Sequence, residues 1–228
     1  ALHVALASGA ADPAFAPEPA SSAEIDALRA AAEAHLGETL AALHERQDGL
    51  AAADRNRVDA VLGEEPALRR LLAGMADEAG LPRIRVHGDY HLGQTLRAAD
   101  GSWTIIDFEG EPARPLAERR RKTSPLKDVA GMLRSFGYAR GALEREAAAV
   151  AGDGALEAWE RDARAAYLST YRMEIASAAS PLVPIDDAAF HGALAAWELD
   201  KALYEVRYEL ANRPDWLPIP LRTLAPNL

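Results

Sequence analysis

The sequence has 228 residues, with 25 basic and 35 acidic side chains, a formal net charge of −10 and no cysteine. The lack of cysteine excludes disulfides, thiolate metal sites and cysteine nucleophiles. The negative charge disfavours nucleic acid and membrane surfaces as partners, and there is neither a signal peptide nor an apolar run of roughly 20 residues, so we expect a cytoplasmic protein.

Helix-forming residues dominate the chain. Hydrophobic residues make up 49% of it but aromatic residues only 6%, so most of the apolar side chains are Ala and Leu, and we expect a mostly α-helical fold. A Pro-rich connector is predicted over residues 8–22, and Ser22 is the predicted N-cap of the helix that follows. The helices are predicted over about 22–50, 54–62, 66–79, 126–137, 141–151, 154–179 and 187–212.

A small β insertion is predicted in the middle of the chain, over residues 83–109. The alternation at 83–86 predicts a first strand. Residues 95–97 and 103–106 predict two more, joined by the turn residues Asp100 and Gly101. An irregular segment over 110–125 separates this insertion from the helices that follow.

Three polar residues stand at the ends of these predicted strands. Asp89 follows the first strand, Gln94 begins the second and Asp107 ends the third. Because neighbouring strands lie about 4.8 Å apart, we expect the three side chains to converge. Two carboxylates and an amide oxygen form a set of hard ligands that suits Mg²⁺. Alternatively, Asp89 accepts a proton from a substrate hydroxyl while Gln94 and Asp107 hold the metal.

Two motifs in this insertion carry a resemblance. The segment HGDYHLGQ at residues 87–94 resembles the catalytic loop of the aminoglycoside-phosphotransferase-like branch of the protein-kinase fold, and IIDFE at 105–109 resembles its metal-binding segment. The stretches 107–135 and 201–216 are similar to maltokinases, including the kinase domains fused to trehalose synthase. The resemblance is strong over about 83–138 and 195–220 and weak elsewhere.

The resemblance implies a role for each residue of the motifs. Asp89 would be the catalytic base that orients and deprotonates a sugar hydroxyl, while Gln94 and Asp107 would bind the Mg²⁺ that bridges the phosphates of ATP. Most kinases carry Asn where Gln94 stands, and this departure is itself similar to maltokinases. His87 and Asp128 would support the catalytic loop, Asp128 by hydrogen bonds to the loop backbone.

The resemblance also bears on domain organisation. Kinases hold the phosphates of ATP with a Gly-rich loop and a strand lysine, and no Gly-x-Gly-x-x-Gly motif occurs in this chain. We therefore interpret residues 1–228 as a single C-terminal lobe of the kinase-like fold that lacks its N-terminal ATP-binding lobe. We expect this lobe alone to be inactive.

Two further clusters allow two interpretations each. On the last long helix, residues at three- and four-residue steps share one face, which is either a solvated surface or a wall of hydrogen-bonding groups for a sugar. Resemblance to maltokinases favours the sugar wall, and its candidate residues are Glu198, Lys201, Glu205 and Tyr208. The basic run at 119–122 is either a solvated loop or lies near the phosphates.

These observations lead to a specific functional hypothesis. We predict the catalytic lobe of an ATP- and Mg²⁺-dependent maltokinase, which transfers the γ-phosphoryl group to the anomeric hydroxyl of maltose and gives maltose 1-phosphate. One alternative is a kinase of another small molecule, such as an aminoglycoside or a choline-like amine. The other is a non-catalytic docking lobe associated with trehalose synthase.

Overall fold

The computed structural model describes residues 2–9, 11–111, 115–146 and 154–225. Helices make up most of this described part, as the composition predicts. The helices are α1 (Leu2–Leu6), α2 (Ser22–Arg46), α3 (Ala52–Gly63), α4 (Glu65–Leu72), α5 (Leu116–Arg119), α6 (Leu126–Glu146), α7 (Ala155–Ile175), α8 (Asp187–Asn212) and α9 (Pro218–Leu224). The strands are β1 (Glu18–Pro19), β2 (Pro82–Arg83), β3 (Thr95–Arg97) and β4 (Trp103–Ile105).

The chain forms two compact units, each built from two separate segments. The first unit consists of residues 1–20 and 80–185, and the second consists of residues 21–79 and 186–228. Among the described residues, no helix combines the length and the apolar character that crossing a bilayer requires.

The β structure of the first unit differs from the prediction at its first strand. Strands β3 and β4 form the predicted antiparallel hairpin. The strand predicted over 83–86 is shorter, and β2 pairs with β1, which comes from the segment predicted to be only a connector. Ile84 instead forms a single bridge with Thr123. Local alternation indicates that a segment is extended, but it carries no information about a partner so distant in the chain.

The N-cap of α2 lies one residue earlier than predicted. Ser21, not Ser22, is the N-cap, because its hydroxyl accepts the Glu24 N–H at 3.2 Å. The Glu24 carboxylate accepts the Ser21 N–H in return at 2.8 Å. This reciprocal capping box requires an acid three residues after the cap, and only Ser21 has Glu24 at that spacing.

Other helix boundaries also differ from the prediction, and α7 ends at Ile175 instead of 179. The helices predicted over 126–137 and 141–151 are one continuous helix as far as Glu146, because Gly137 and Gly141 are buried within α6 rather than ending it. Residues 147–151 of that prediction lie outside the described residues. The helix predicted over 66–79 ends at Leu72 and continues as a 3₁₀ segment over Ala73–Glu78.

Helices α2, α3, α4, α8 and α9 build the core of the second unit. Its fully buried side chains include Leu36, Leu43, Leu72, Met75 and Leu203. The 3₁₀ segment packs against α8, where the buried Trp197 indole N–H donates to the Glu78 carboxylate at 2.8 Å. The apolar face of α8 is therefore covered within its own unit, which explains why the longest helix was also the one most accurately predicted.

The glycine at position 74 allows this close packing and gives a first prediction. A Cβ at Gly74 would lie 2.3 Å from the backbone oxygen of Gly192, which is closer than the two backbone segments can tolerate. We expect Gly74→Ala to lower the free energy of unfolding by about 1–3 kcal/mol, measured by urea unfolding. Gly37→Ala is the matched control, since nothing lies within 4 Å of a Cβ there; on α2 it should raise stability by about 0.5–1 kcal/mol. Equal effects would contradict the packing argument.

Candidate active site

The segment 87–94 is held in place by one carboxylate from α6. Asp128 accepts the backbone N–H of His87 at 2.7 Å and that of Gly88 at 2.8 Å, using one oxygen for each. Gly88 has φ 87°, a conformation that favours glycine. The backbone immediately before Asp89 is therefore fixed by α6.

The His87 ring connects the same segment to the strand end that carries Asp107. Its Nε2 lies 2.8 Å from the Ile106 carbonyl oxygen, and because a carbonyl only accepts, Nε2 carries the proton. Its Nδ1 is then free to accept the backbone N–H of Asp89 at 3.3 Å. The ring also packs against Phe108, with centroids 4.8 Å apart. His87 is buried, and its contacts connect the segment 87–94 with the end of β4.

Gln94 and Asp107 lie in direct contact. The Gln94 side-chain amide donates to Asp107 Oδ2 at 3.0 Å. The backbone oxygen of Gln94 accepts the Ile106 N–H at 3.0 Å. Asp107 has φ 63°, and it is the only non-glycine residue of the described chain with a positive φ. Such strain at a polar residue is typical of functional sites.

The oxygen chemistry of this pair suits magnesium. A carboxylate and an amide oxygen on adjacent groups match the way Mg²⁺ is bound in phosphoryl-transfer sites, through one or two protein ligands and the substrate phosphates. Within the described residues, no group of three or more His, Cys, Asp or Glu side chains forms a metal cage. The contact between their side chains makes Gln94 and Asp107 the candidate ligands.

The backbone at Asp89 is positioned differently from the way the sequence predicted. The expected convergence assumed that the strand before Asp89 neighbours the hairpin, but β2 pairs with β1 and not with β3 or β4. The hydrogen bonds of Asp128 and His87 position the backbone at Asp89 instead. The assumption of adjacent strand ends was wrong, although the residues it selected lie on connected segments.

A buried carboxylate, Asp128, lies next to the candidate site. Burial on its own would raise the pKa of the Asp128 carboxyl, but the hydrogen bond and charge of His3 and the N–H groups of Gly88 and His87 outweigh it and lower the pKa. Burial and the nearby Asp128 carboxylate raise the pKa of Tyr90. Burial also raises the pKa of Tyr167, and the nearby Tyr90 and Asp128 add to this effect. One carboxylate thus stays ionised among neutral phenols.

Sequence reasoning missed three residues around this anion. His3 lies on α1 and contacts Asp128 across 125 positions of sequence, with Tyr171 of α7 on the other side of its ring. Gly131 lets α6 approach the loop, because a Cβ there would lie 2.6 Å from the Tyr90 backbone oxygen. Only Gly131, a glycine one turn after Asp128 on a predicted helix, carried a signal that could have been noticed.

The four predicted sugar-wall residues belong to α8 in the second unit. Glu205 is only 8% exposed and Tyr208 is 43% exposed, so the face is not uniformly solvated. The Lys201 ammonium lies 5.0 Å from the centre of the Tyr204 ring. The rings of Tyr204 and Tyr208 stack with their centroids 6.3 Å apart. Glu198 shares this helix. Their role in binding a sugar remains a prediction.

The basic run at 119–122 is not simply a solvated loop. The Arg119 guanidinium donates to the backbone oxygen of Glu109 at 3.4 Å. The Lys122 ammonium donates to the Pro13 oxygen at 2.6 Å and pairs with the Glu18 carboxylate. Both cations are therefore used in contacts that fix segments of the first unit.

The fold and site can be compared with known proteins. A profile of the phosphotransferase enzyme family matches residues 2–167, well over half of the chain. The chain belongs to this family. The match includes the catalytic-loop and metal-segment motifs, and it confirms the predicted resemblance at the level of the family.

Individual relatives agree with this assignment. A glucosamine kinase from Mycolicibacterium smegmatis is 31% identical over 222 residues, covering 96% of this chain and 49% of that protein. One from Streptacidiphilus jiangxiensis is 31% identical over 155 residues, covering 68% of this chain and 34% of that protein. The chain therefore spans half or less of the length of these relatives, which are named glucosamine kinases rather than maltokinases.

Solved structures also confirm the predicted kinase-like fold. The structure of a glucosamine kinase in complex with glucosamine, ADP and inorganic phosphate matches with a TM-score of 0.77 and 27% identity, covering 99% of this chain and 48% of that one. Another crystal form of glucosamine kinase matches with a TM-score of 0.76, the same identity, and 97% and 48% coverage.

The left-handed backbone at Asp107 gives a second prediction. Asp107→Gly and Asp107→Ala both remove the hydrogen bond from Gln94, so they differ only in what the backbone tolerates. We expect the glycine variant to be more stable than the alanine variant by about 1 kcal/mol, because the left-handed conformation penalises a Cβ. Thermal unfolding of the two variants measures this difference. If the alanine variant is instead the more stable of the two, φ at this position is not constrained to the left-handed region.

The buried carboxylate gives a third prediction, on pH. The folded pKa of Asp128 lies below its ordinary value, so its stabilisation is complete above about pH 4 and is lost as the pH falls through the folded pKa. We expect Asp128→Asn to lower the free energy of unfolding by about 3–5 kcal/mol at neutral pH. The gap in unfolding free energy between the two proteins should shrink as the pH falls below about 4, which chemical unfolding at a series of pH values measures. A gap independent of pH would contradict the ionised state.

Proposed function

We propose that this chain is the catalytic C-terminal lobe of an ATP-dependent sugar kinase. The observation that carries the proposal is the arrangement around Asp89. The backbone before it is clamped by Asp128, its own N–H is bound by His87, and the contacting pair Gln94 and Asp107 is joined to the same segment through Ile106. Phosphoryl transfer needs this kind of rigid positioning more than it needs covalent chemistry.

Each residue has a definite role in the proposed reaction. Asp89 orients the acceptor hydroxyl and accepts its proton. Gln94 and Asp107 are the residues that would hold Mg²⁺, and the ion would supply positive charge against the phosphates of ATP. His87 and Asp128 keep the loop in the conformation in which Asp89 can act, as the sequence resemblance implies.

An ATP-binding lobe is part of this proposal. The chain spans about half the length of the M. smegmatis glucosamine kinase and of the solved structures it matches, and it contains no Gly-x-Gly-x-x-Gly motif. We propose that the groups that cradle the ATP phosphates come from an N-terminal lobe ahead of residue 1. The isolated chain should then transfer phosphate only when that lobe is supplied.

The acceptor is proposed as a sugar, with glucosamine as the first candidate. Support comes from the relatives, which are named glucosamine kinases, and from the matched structure that holds glucosamine, ADP and phosphate. Maltose is the second candidate, because residues 107–135 and 201–216 are similar to maltokinases. In that case the product is maltose 1-phosphate, and Glu198, Lys201, Glu205 and Tyr208 line the sugar site.

The reaction can be tested by a fourth prediction. In the polypeptide that carries this chain with its ATP-binding lobe, we expect Asp89→Asn to lower kcat by about 10²–10⁴-fold, measured as ADP release with Mg²⁺. Asp100→Asn is the matched control, because this exposed acid only caps the turn between β3 and β4 through Ser102. Transfer that survives Asp89→Asn unchanged would refute the role of that residue.

The same assay separates the acceptor candidates. The acceptors to compare are glucosamine, maltose, an aminoglycoside and choline. A preference for glucosamine or for maltose decides between the two sugars. A preference for the aminoglycoside or for choline would replace the sugar proposal. No transfer to any acceptor, together with binding to trehalose synthase, would favour the docking lobe instead.

A further inference from the structure

Helix α1 contributes a histidine to the support of the catalytic loop. His3 is 2% exposed, and its Nε2 lies 3.0 Å from Asp128 Oδ2, the same oxygen that accepts the His87 N–H. On its other side, His3 Nδ1 lies 3.0 Å from the hydroxyl of Tyr171. A buried histidine held at both nitrogens has a fixed ring orientation.

The proton positions in this chain of contacts follow from the acceptor at its centre. An ionised carboxylate can only accept, so His3 Nε2 must carry a proton. A neutral ring accepts the Tyr171 O–H at Nδ1, whereas a charged ring donates its Nδ1–H to the Tyr171 oxygen, so the contact forms in either state. Asp128 then receives three donors, from His3, His87 and Gly88, which is what a fully buried carboxylate requires.

We propose that His3 and Tyr171 are positioning residues that hold the catalytic loop in place through Asp128. Their effect reaches the loop through two consecutive peptide groups, immediately before Asp89. The kinetic part of this inference rests on the proposed function, whereas the structural part, order in the backbone of His87 and Gly88, does not.

Hydrogen exchange of the His87 and Gly88 amides in the chain itself is the test. We expect His3→Leu to speed exchange at these two amides by about 10- to 100-fold, because Asp128 loses a charge-assisted donor. His3→Gln, which keeps an N–H donor, should restore much of the protection. Tyr171→Phe, which keeps the ring but removes the hydroxyl, should fall between wild type and His3→Leu.

The control is a second histidine–aspartate contact of the same length. His35 Nδ1 lies 3.0 Å from Asp200 Oδ1 in the second unit, so His35→Leu removes a histidine–aspartate pair of equal length, in this case a part-buried one, away from the loop. It should leave exchange at His87 and Gly88 unchanged. If His3→Leu does not fold, Tyr171→Phe decides the question by the same readout.

Two results would overturn the proposal. One is wild-type exchange at both loop amides in His3→Leu or, where that variant does not fold, in Tyr171→Phe. The other is an equal acceleration across all amides of α6 and α7, which would indicate general destabilisation. With the ATP-binding lobe present, His3→Leu should lower kcat by about 10- to 100-fold while the KM for the sugar changes little. An inactive wild-type protein would refute the proposed function, and the exchange data would still decide the role of His3.

Discussion

A single buried carboxylate organises the first unit. Asp128 has no access to water, so its charge is tolerable only if several donors surround it. It obtains them from three residues: His3 on α1, and His87 and Gly88 at the start of the segment 87–94. Because two of these donors are backbone groups, satisfying the charge also fixes the conformation of the chain next to Asp89. The same hydrogen bonds therefore stabilise the unit and set the geometry of the candidate site.

A second set of contacts joins the loop to the hairpin that follows it. His87 bonds the Ile106 oxygen, Gln94 accepts the Ile106 N–H, and the Gln94 side chain reaches Asp107. Each of these bonds ends within one residue of Asp107, whose backbone is held in the left-handed region. The surrounding hydrogen bonds compensate for that conformation. Such an arrangement is expected where a carboxylate must point in one direction before any ligand arrives.

Helices could be predicted from the sequence far better than strand pairing or the buried polar network. The apolar periodicity of α8 fixed its limits because that helix buries one face within its own unit, whereas the cap of α2 was misplaced by one residue. The partner of β2 could not be predicted, since it lies more than 60 positions earlier. Motif resemblance identified Asp128 and its contact with the loop backbone. It did not identify His3, because nothing in its local sequence distinguishes a histidine that completes a distant ion pair from one on the surface.

The interleaving of the two units has a consequence for biosynthesis. The second unit needs residues from 186 onward to close its core, whereas the first has all of its segments by residue 185. During translation, the segment 21–79 must therefore wait, without its α8 partner, until more than a hundred further residues have left the ribosome. Its apolar face stays open for that time and is a target for chaperones or for aggregation. The length of this delay depends on the order of the segments along the mRNA and not on the stability of either unit.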